Sequence, residues 1–166
     1  MLMLARYSQP VSARTITVPD EFSTIQEAIN NATNGDTVFV RSGTYYEKVV
    51  VNKAIMLIGE DMKPTIIRYN ASVDDNIVEV TASYAAVKNF TIINDGAQIY
   101  ATGILVKDAY YCSITENNLT ERNYIGIAIN NASSCYLVGN VFTNNGMTVH
   151  LSYGNTILNN TLNGKP

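Results

Sequence analysis

The chain has 166 residues, a formal net charge of -3, 46% hydrophobic residues and only 15% charged ones. That length suits one domain, the mild acidity without any Lys/Arg run argues against nucleic acid as a partner, and no apolar stretch reaches the roughly 18 residues of a membrane span. The 20 Asn residues supply the polar surface that charges ordinarily would.

Residues 1–14 read as a leader or disordered tail. In MLMLARYSQPVSA, Val11-Ser12-Ala13 resembles a signal-peptidase site, but the apolar part is only four residues long before Ala5 and Arg6. Asn31, Asn70, Asn89, Asn118, Asn131 and Asn159 each open an N-x-[ST] sequon, which suits an exported chain, although a sequence so rich in Asn and Thr generates many by accident. These features lean weakly towards an extracellular, cell-surface or periplasmic location.

Residues 15–166 form the expected domain. STIQEAINNA places Ile25, Ala28 and Ile29 on one face, with Ser23 and Gln26 as a capping box, and predicts a short helix over about 23–32. Such a helix would cover exposed core and open strand edges at one end of a larger array. NGD then turns the chain into a strand, TVFV, and SGTY turns it again.

From about residue 76 to 163 the chain repeats itself. GIAINNASSCYLVGNVFTNN (126–145) follows GILVKDAYYCSITENNLTER by 23 residues, which puts Gly103 over Gly126, Ile104 over Ile127, Ala109 over Ala132, Cys112 over Cys135 and Asn117 over Asn140. A worn copy at 148–163 places Val149 and Leu151 under Ile127 and Ile129, and Asn160 under Asn140. An upstream copy supplies Val78, Val80, Val87 and Ile92. A fixed period of this size marks stacked units, none of which can bury its apolar face alone. The apolar residues alternate in short runs broken by Asn, Gly, Ser and Thr, so each unit is a coil of short strands rather than a helix pair. With about 22 residues per turn there is no room for a crossover helix, and like strands must stack in parallel about 4.8 Å apart. The expected fold is all-β: a single-stranded right-handed parallel β-helix, or solenoid, of about five to six coils with a short N-terminal capping α-helix.

Stacking explains the polar column. Asn117, Asn140 and Asn160 would pass amide hydrogen bonds from rung to rung and satisfy main-chain groups at a bend, a structural role. Cys112 over Cys135 is a second column, either free thiols or a bridge between rungs. Free thiols are favoured because side-by-side residues on parallel strands fit the disulfide torsion poorly, and a metal pair there lacks its third and fourth ligands.

The strings TIQEAI, GDTVFVRSGTYYEKVVV, IMLIGED and TII resemble the N-terminal cap and first coils of the pectin-lyase-like β-helix superfamily, and the later G-I-x-I coils with Asn-rich turns resemble NosD-type, or CASH-domain, repeats. The resemblance covers about residues 15 to 163. It implies the fold strongly and the function weakly, since such folds include polysaccharide lyases, glycoside hydrolases, pectin methylesterases and non-catalytic surface proteins. The esterases' Q-D-T turn would fall on Glu116-Asn117-Asn118-Leu119 and their D-F-I-F-G strand on Ile127-Ala128-Ile129-Asn130, so neither catalytic Asp is present. Asp74-Asp75 is the only Asp pair, and ASVDDN reads as a solvated turn.

One edge of the stack offers candidate ligand-binding residues. Loops lying over one another carry Asp95, Gln98 and Tyr100, then Glu121, Arg122 and Tyr124, and the outward column Leu105, Ala128 and His150 adds the only His. Carboxylates on successive rungs would suit acid–base work or calcium, although ordinary exposed loops carry the same residue types and no calcium motif is present. Tyr111, Tyr124 and Tyr136 could stack on sugar rings, in a chain with 11 Tyr, 4 Phe and no Trp. One His, two Cys and five Met, three of them at positions 1, 3 and 62, make no copper cluster, and no cofactor is expected.

Two functions remain open from the sequence. The favoured one is a non-catalytic β-helix module of a secreted or surface protein, with polysaccharide as its ligand class. The alternative is a carbohydrate-active enzyme (lyase, hydrolase or pectin esterase-like) or the N-terminal part of one. The last residues, Asn163 to Pro166, are too few to cover a core cross-section, so further β-helix coils or another copy of the chain are expected to meet that end.

Overall fold

The protein is described by a computed structural model for residues 12–72, 75–96, 101–120 and 123–166. Strand β1 (Thr15–Val18) leads into the helix α1 (Ile25–Asn31), and coils of three strands follow. They are β2 (Thr37–Val40), β3 (Gly43–Tyr46) and β4 (Val49–Val51); β5 (Met56–Gly59), β6 (Thr65–Tyr69) and β7 (Asn76–Val80); β8 (Ala86–Lys88), β9 (Thr91–Asn94) and β10 (Thr102–Lys107); β11 (Ser113–Thr115), β12 (Asn118–Leu119) and β13 (Ile125–Asn130); and β14 (Tyr136–Val138), β15 (Val141–Phe142) and β16 (Met147–His150). A partial turn, β17 (Thr156–Leu158) and β18 (Thr161–Leu162), ends the stack.

Every strand pairs in parallel with its copies one coil away. The first strands of the coils, with β1, make a seven-stranded sheet, the second strands a six-stranded sheet, and the third strands a five-stranded sheet. This is the expected parallel β-helix, wound right-handed as parallel crossovers are. Its core is a thin column of alternate residues. Val38, Leu57, Val87, Ile114 and Leu137 come from the first sheet, Ile67, Ile92, Leu119 and Phe142 from the second, and Val49, Val78, Ile104 and Ile127 from the third. Burying each such side chain contributes about 1.5–3 kcal/mol.

The Asn column is an inner ladder. Asn140 Oδ1 accepts from the main-chain N–H of Asn117 at 3.0 Å and from its Nδ2 at 3.2 Å, and Asn160 Oδ1 does the same for Asn140 at 2.9 and 3.0 Å. Each Nδ2 also donates to a carbonyl of the preceding coil: Val87, Ile114 and Leu137. The ladder starts beneath Phe90, whose N–H donates to Asn117 Oδ1. Cys112 and Cys135 form the second column as free, fully buried thiols. The neighbouring sulfur and burial both push the Cys112 thiol up. The hydrogen bond with Cys112 lowers the pKa of the Cys135 thiol to about 7, so burial rather than protonation is what withholds it from reagents. The native chain should release nothing from an aromatic disulfide reagent, and the denatured chain should react at both cysteines; a fast native reaction would place a thiol at the surface.

The glycine of G-I-x-I has a packing reason. A Cβ on Gly103 would lie 2.6 Å from the Gly126 carbonyl oxygen and 3.0 Å from Leu119 Cδ1, and one on Gly126 would lie 2.5 Å from Phe142 Cδ1. The strand closes onto the core there too tightly for any side chain.

Helix α1 covers the first coil with Ile25, Ala28 and Ile29, all buried. Its cap differs from the expected Ser23–Gln26 box. Thr24 is the N-cap and accepts from the Glu27 N–H at 3.1 Å, while Ser23 Oγ donates to the Glu27 carboxylate. Gln26 reaches the coil below instead. Its Oε1 accepts from Val50 N at 2.7 Å and its Nε2 donates to Val50 O, so the side-chain amide pairs with the edge of β4. Glu47 accepts from the N–H groups of Ile25 and Gln26, and Lys53 Nζ donates to the carbonyls of Ile29, Asn30 and Ala32, so both helix ends are satisfied by the coil beneath.

The worn copy sits in a different register from the one expected. Met147, not Val149, lies beside Ile127, Val149 lies beside Ile129, and Leu151 falls outside the strand. The three missing residues come out of the turn between β15 and β16, since the offset to the previous coil is 20 from there onward instead of 23. On the last coil Val149, Ile157 and Leu162 are about half exposed, around an apolar recess of about 360 Å³ that includes Phe142 and Met147.

Candidate functional site

The candidate site lies on the outer face of the five-stranded sheet, where the pleat alternates side chains between core and solvent. The register stacks Leu105, Ala128 and Thr148 as one outward column. That column floors a cleft of about 260 Å³, rimmed by Asp75, Asn76 and Thr102 at one side and by Tyr124 and Asn130 at the others.

The polar groups at the rim are held in place. Asp75 Oδ1 meets Lys48 Nζ at 2.6 Å and accepts from the Asn76 N–H at 2.8 Å. Burial works to raise this carboxyl's pKa, and the Lys48 ammonium with the Asn76 N–H outweighs it, leaving the group below the usual carboxylate range. Asp75 is thus a paired rim residue rather than part of a solvated turn; Asp74 lies outside the described residues. The Asn76 side chain is buried, and its Oδ1 has no hydrogen-bond partner among the described residues.

The expected site residues are not gathered into one cluster. Tyr100, Glu121 and Arg122 lie outside the described residues, as does Gln98. Asp95 is taken up by a two-pronged ion pair with Arg68, at 2.7 Å to the nearer oxygen, and Arg68 also lies over the Tyr46 ring. Tyr124 is exposed and lines the cleft. His150 does not extend the Leu105–Ala128 column: Thr148 does, and His150 continues Lys107 and Asn130 at the far end of the strands. Tyr111 stands at that far corner, beyond β10, and Tyr136 is exposed on the seven-stranded sheet. Asp75 and Asp95 are ion-paired, Asp108 accepts from Asn131 Nδ2, Glu79 lies beside Leu105 on the preceding strand, and no cluster of three or more His, Cys, Asp or Glu suited to a metal occurs among the described residues.

Sequence reasoning missed a second polar column. Asn94, Asn123 and Asn145 are buried at the turn between the six- and five-stranded sheets, with Asn123 Nδ2 donating to Ile92 O and Asn145 Nδ2 to Leu119 O and Thr143 O. They hold the turns that carry Tyr124 and open the near side of the cleft.

Solved structures share this fold. The chain is similar to Geobacillus virus E2 ORF18 at TM-score 0.67 and 20% identity, over 80% of this chain and 31% of that one. It is similar to a pectin methylesterase in complex with hexasaccharide VII at TM-score 0.64 and 14% identity, over 91% and 56%. Pectin methylesterase PemA from Erwinia chrysanthemi follows at TM-score 0.57 and 14% identity, over 84% and 56%. The chain therefore spans between about a third and just over half of these proteins, and identities this low establish the fold alone. No curated protein matches the chain in sequence. The β-helix core, its cap and its Asn-turn coils agree with a family model that matches residues 20–165, and the chain belongs to that family, described as Periplasmic copper-binding protein (NosD).

Proposed function

We propose that the chain is a non-catalytic β-helix module of a secreted or cell-surface protein and binds carbohydrate across the outer face of the five-stranded sheet. The observation that carries this reading is Asn76 Oδ1, a buried acceptor at the cleft rim without a partner among the described residues. Such a group costs about 1–3 kcal/mol until a donor reaches it, and a sugar hydroxyl is a donor of the right size. Beside it, Leu105 and Ala128 offer an apolar floor for the C–H face of a pyranose, and Tyr124, Thr102 and Asn130 offer hydrogen bonds around it. Glycoside chemistry needs two carboxylates facing the bond to be broken, whereas the described cleft lining holds one, Asp75, which is committed to Lys48, and Glu79 stands one strand outside it.

The family's description supports an exported location. Among the described residues no helix is long and apolar enough to cross a membrane. Copper, which the description names, does not fit the donors among the described residues. Soft thiols favour Cu(I), but Cys112 and Cys135 are buried in the core column, and His150 lies on another strand at the end of the exposed face. Further coils or a second copy would meet the apolar recess of the last coil.

The test is retardation in native gels containing soluble polysaccharides, neutral ones (hydroxyethyl cellulose, galactomannan) beside polygalacturonate. Thr148 is exposed on the cleft floor, so Thr148→Arg should fill the cleft without disturbing the fold. We expect retardation of the wild type to fall by about tenfold in apparent affinity, the loss of roughly one good sugar contact. Unchanged retardation with an unchanged melting curve would move the site elsewhere.

A further inference from the structure

The corner between the five- and seven-stranded sheets carries a positive-φ column, as do the Asn89–Glu116–Gly139–Asn159 and Asp108–Asn131–Leu151 positions, but this one is the column that holds exposed tyrosines. Tyr84, Tyr111, Ser134 and Gly154 occupy equivalent places on successive coils, and all four have positive φ, of 64°, 58°, 57° and 64°. Glycine takes this conformation without strain, and bulky residues do so at a cost. The last of the four coils uses glycine. Two others place tyrosine there, and their rings gain little burial in return, being 67% and 54% exposed. The rings stack on each other, with centroids 5.2 Å apart and planes 14° from parallel.

The surroundings are aromatic and hydroxylated. The adjacent column is Ser83, Tyr110, Ser133 and Tyr153, knitted by Tyr110 N to Ser83 Oγ and Tyr153 N to Ser133 Oγ, each at 3.0 Å. Tyr110 and Tyr153 are exposed as well. No Asp, Glu, Lys or Arg occurs in residues 81–85, 109–112, 132–135 or 152–155. Below Tyr111 the column narrows to Ser134 and Gly154, so the ring face turned away from Tyr84 has no third ring against it.

We propose that the Tyr84–Tyr111 pair is an aromatic platform for the pyranose rings of a neutral glycan, and that it forms the far end of the glycan site. A strained, exposed aromatic pair contributes little to folding, and the flat face and hydroxyl of tyrosine match the C–H face and hydroxyls of a sugar. Beside the corner the exposed Lys107 is balanced by the adjacent Asp108, so the surface carries no surplus of positive charge to draw a uronate chain. The cleft runs along β10 from Thr102 to the level of Asn130, and the platform lies beyond the far end of that strand, past Lys107, so together they offer a span for an oligosaccharide of several units. This inference rests on the carbohydrate reading of the cleft.

The test is the double variant Tyr84→Gly, Tyr111→Gly. Glycine suits both backbones, so the variant should keep its circular dichroism and cooperative melting, a readout that separates lost binding from lost folding. In gels containing galactomannan or hydroxyethyl cellulose, its retardation should weaken by about tenfold relative to wild type, and Tyr111→Phe should keep most of it. Equal retardation of wild type and a folded double variant would overturn the platform and leave the cleft reading standing. A wild type retarded by polygalacturonate and not by the neutral glycans would overturn the neutral class. A wild type retarded by none would overturn both readings.

Discussion

Replacing Asn140 by Leu is expected to lower stability by about 3 kcal/mol. The two side chains share branching and number of heavy atoms, so the change mainly tests the hydrogen bonds, with some overpacking from the bulkier methyl groups. In the wild type the buried Asn140 amide receives the Asn117 N–H and Nδ2 and donates to Ile114 O and Asn160 Oδ1. Leu strands the Asn117 N–H inside the stack and removes partners above and below, and each unmet buried group costs about 1–3 kcal/mol. For a chain of this size the melting midpoint should fall by about 10 °C. Asn52, exposed beyond β4, is the control: its change to Leu should stay within about 0.5 kcal/mol. If thermal melts show the two variants alike, the ladder is not holding the coils together.

The second large effect is steric. Gly103→Ala puts a methyl group 2.6 Å from the Gly126 carbonyl oxygen, which belongs to a paired strand and cannot swing aside as a side-chain tip would. Overpacking of this kind costs about 1–3 kcal/mol. The equivalent glycine one coil beyond Gly126 is Gly146, where an added Cβ meets nothing within 4 Å and φ is not positive. Gly146→Ala should therefore be neutral or slightly stabilising. Chemical denaturation of the two alanine variants decides it: equal midpoints would mean that the glycine in the repeat has no packing role.

The repeat was legible wherever the coil length stayed constant. Between β10 and β13 the offset is 23 throughout, and the pairs Ile104–Ile127, Cys112–Cys135 and Asn117–Asn140 follow from the sequence as the structure has them. Where a turn changes length, reading by period fails. Losing three residues between β15 and β16 moves Thr148 into the outward column and carries His150 past it. The same variation hid Asn123 and Asn145, which do equivalent work 22 residues apart, between strands offset by 23 before them and by 20 after them. The candidate site was legible in residue type more than in place. Tyr111 and Tyr124 were singled out as exposed tyrosines, but nothing in the string tells that Asp95 turns back one coil to Arg68, or that Lys48 reaches Asp75 across 27 residues.

The stacking also decides how the molecule bears load. Strand pairing runs in series along the long axis, from β1 through to β17 in one sheet, so tension applied along that axis falls on one interface after another and the weakest yields first. Helix α1, gripped by Glu47, Gln26 and Lys53, anchors one end, while at the other β17 and β18 are held through two sheets only, by three residue pairs to β14 and two to β15. Pulled lengthwise, such a rod unwinds from its thin end like thread from a spool, giving up its coils singly and at low force; pressed from the side, it meets three sheets at once and resists as a beam.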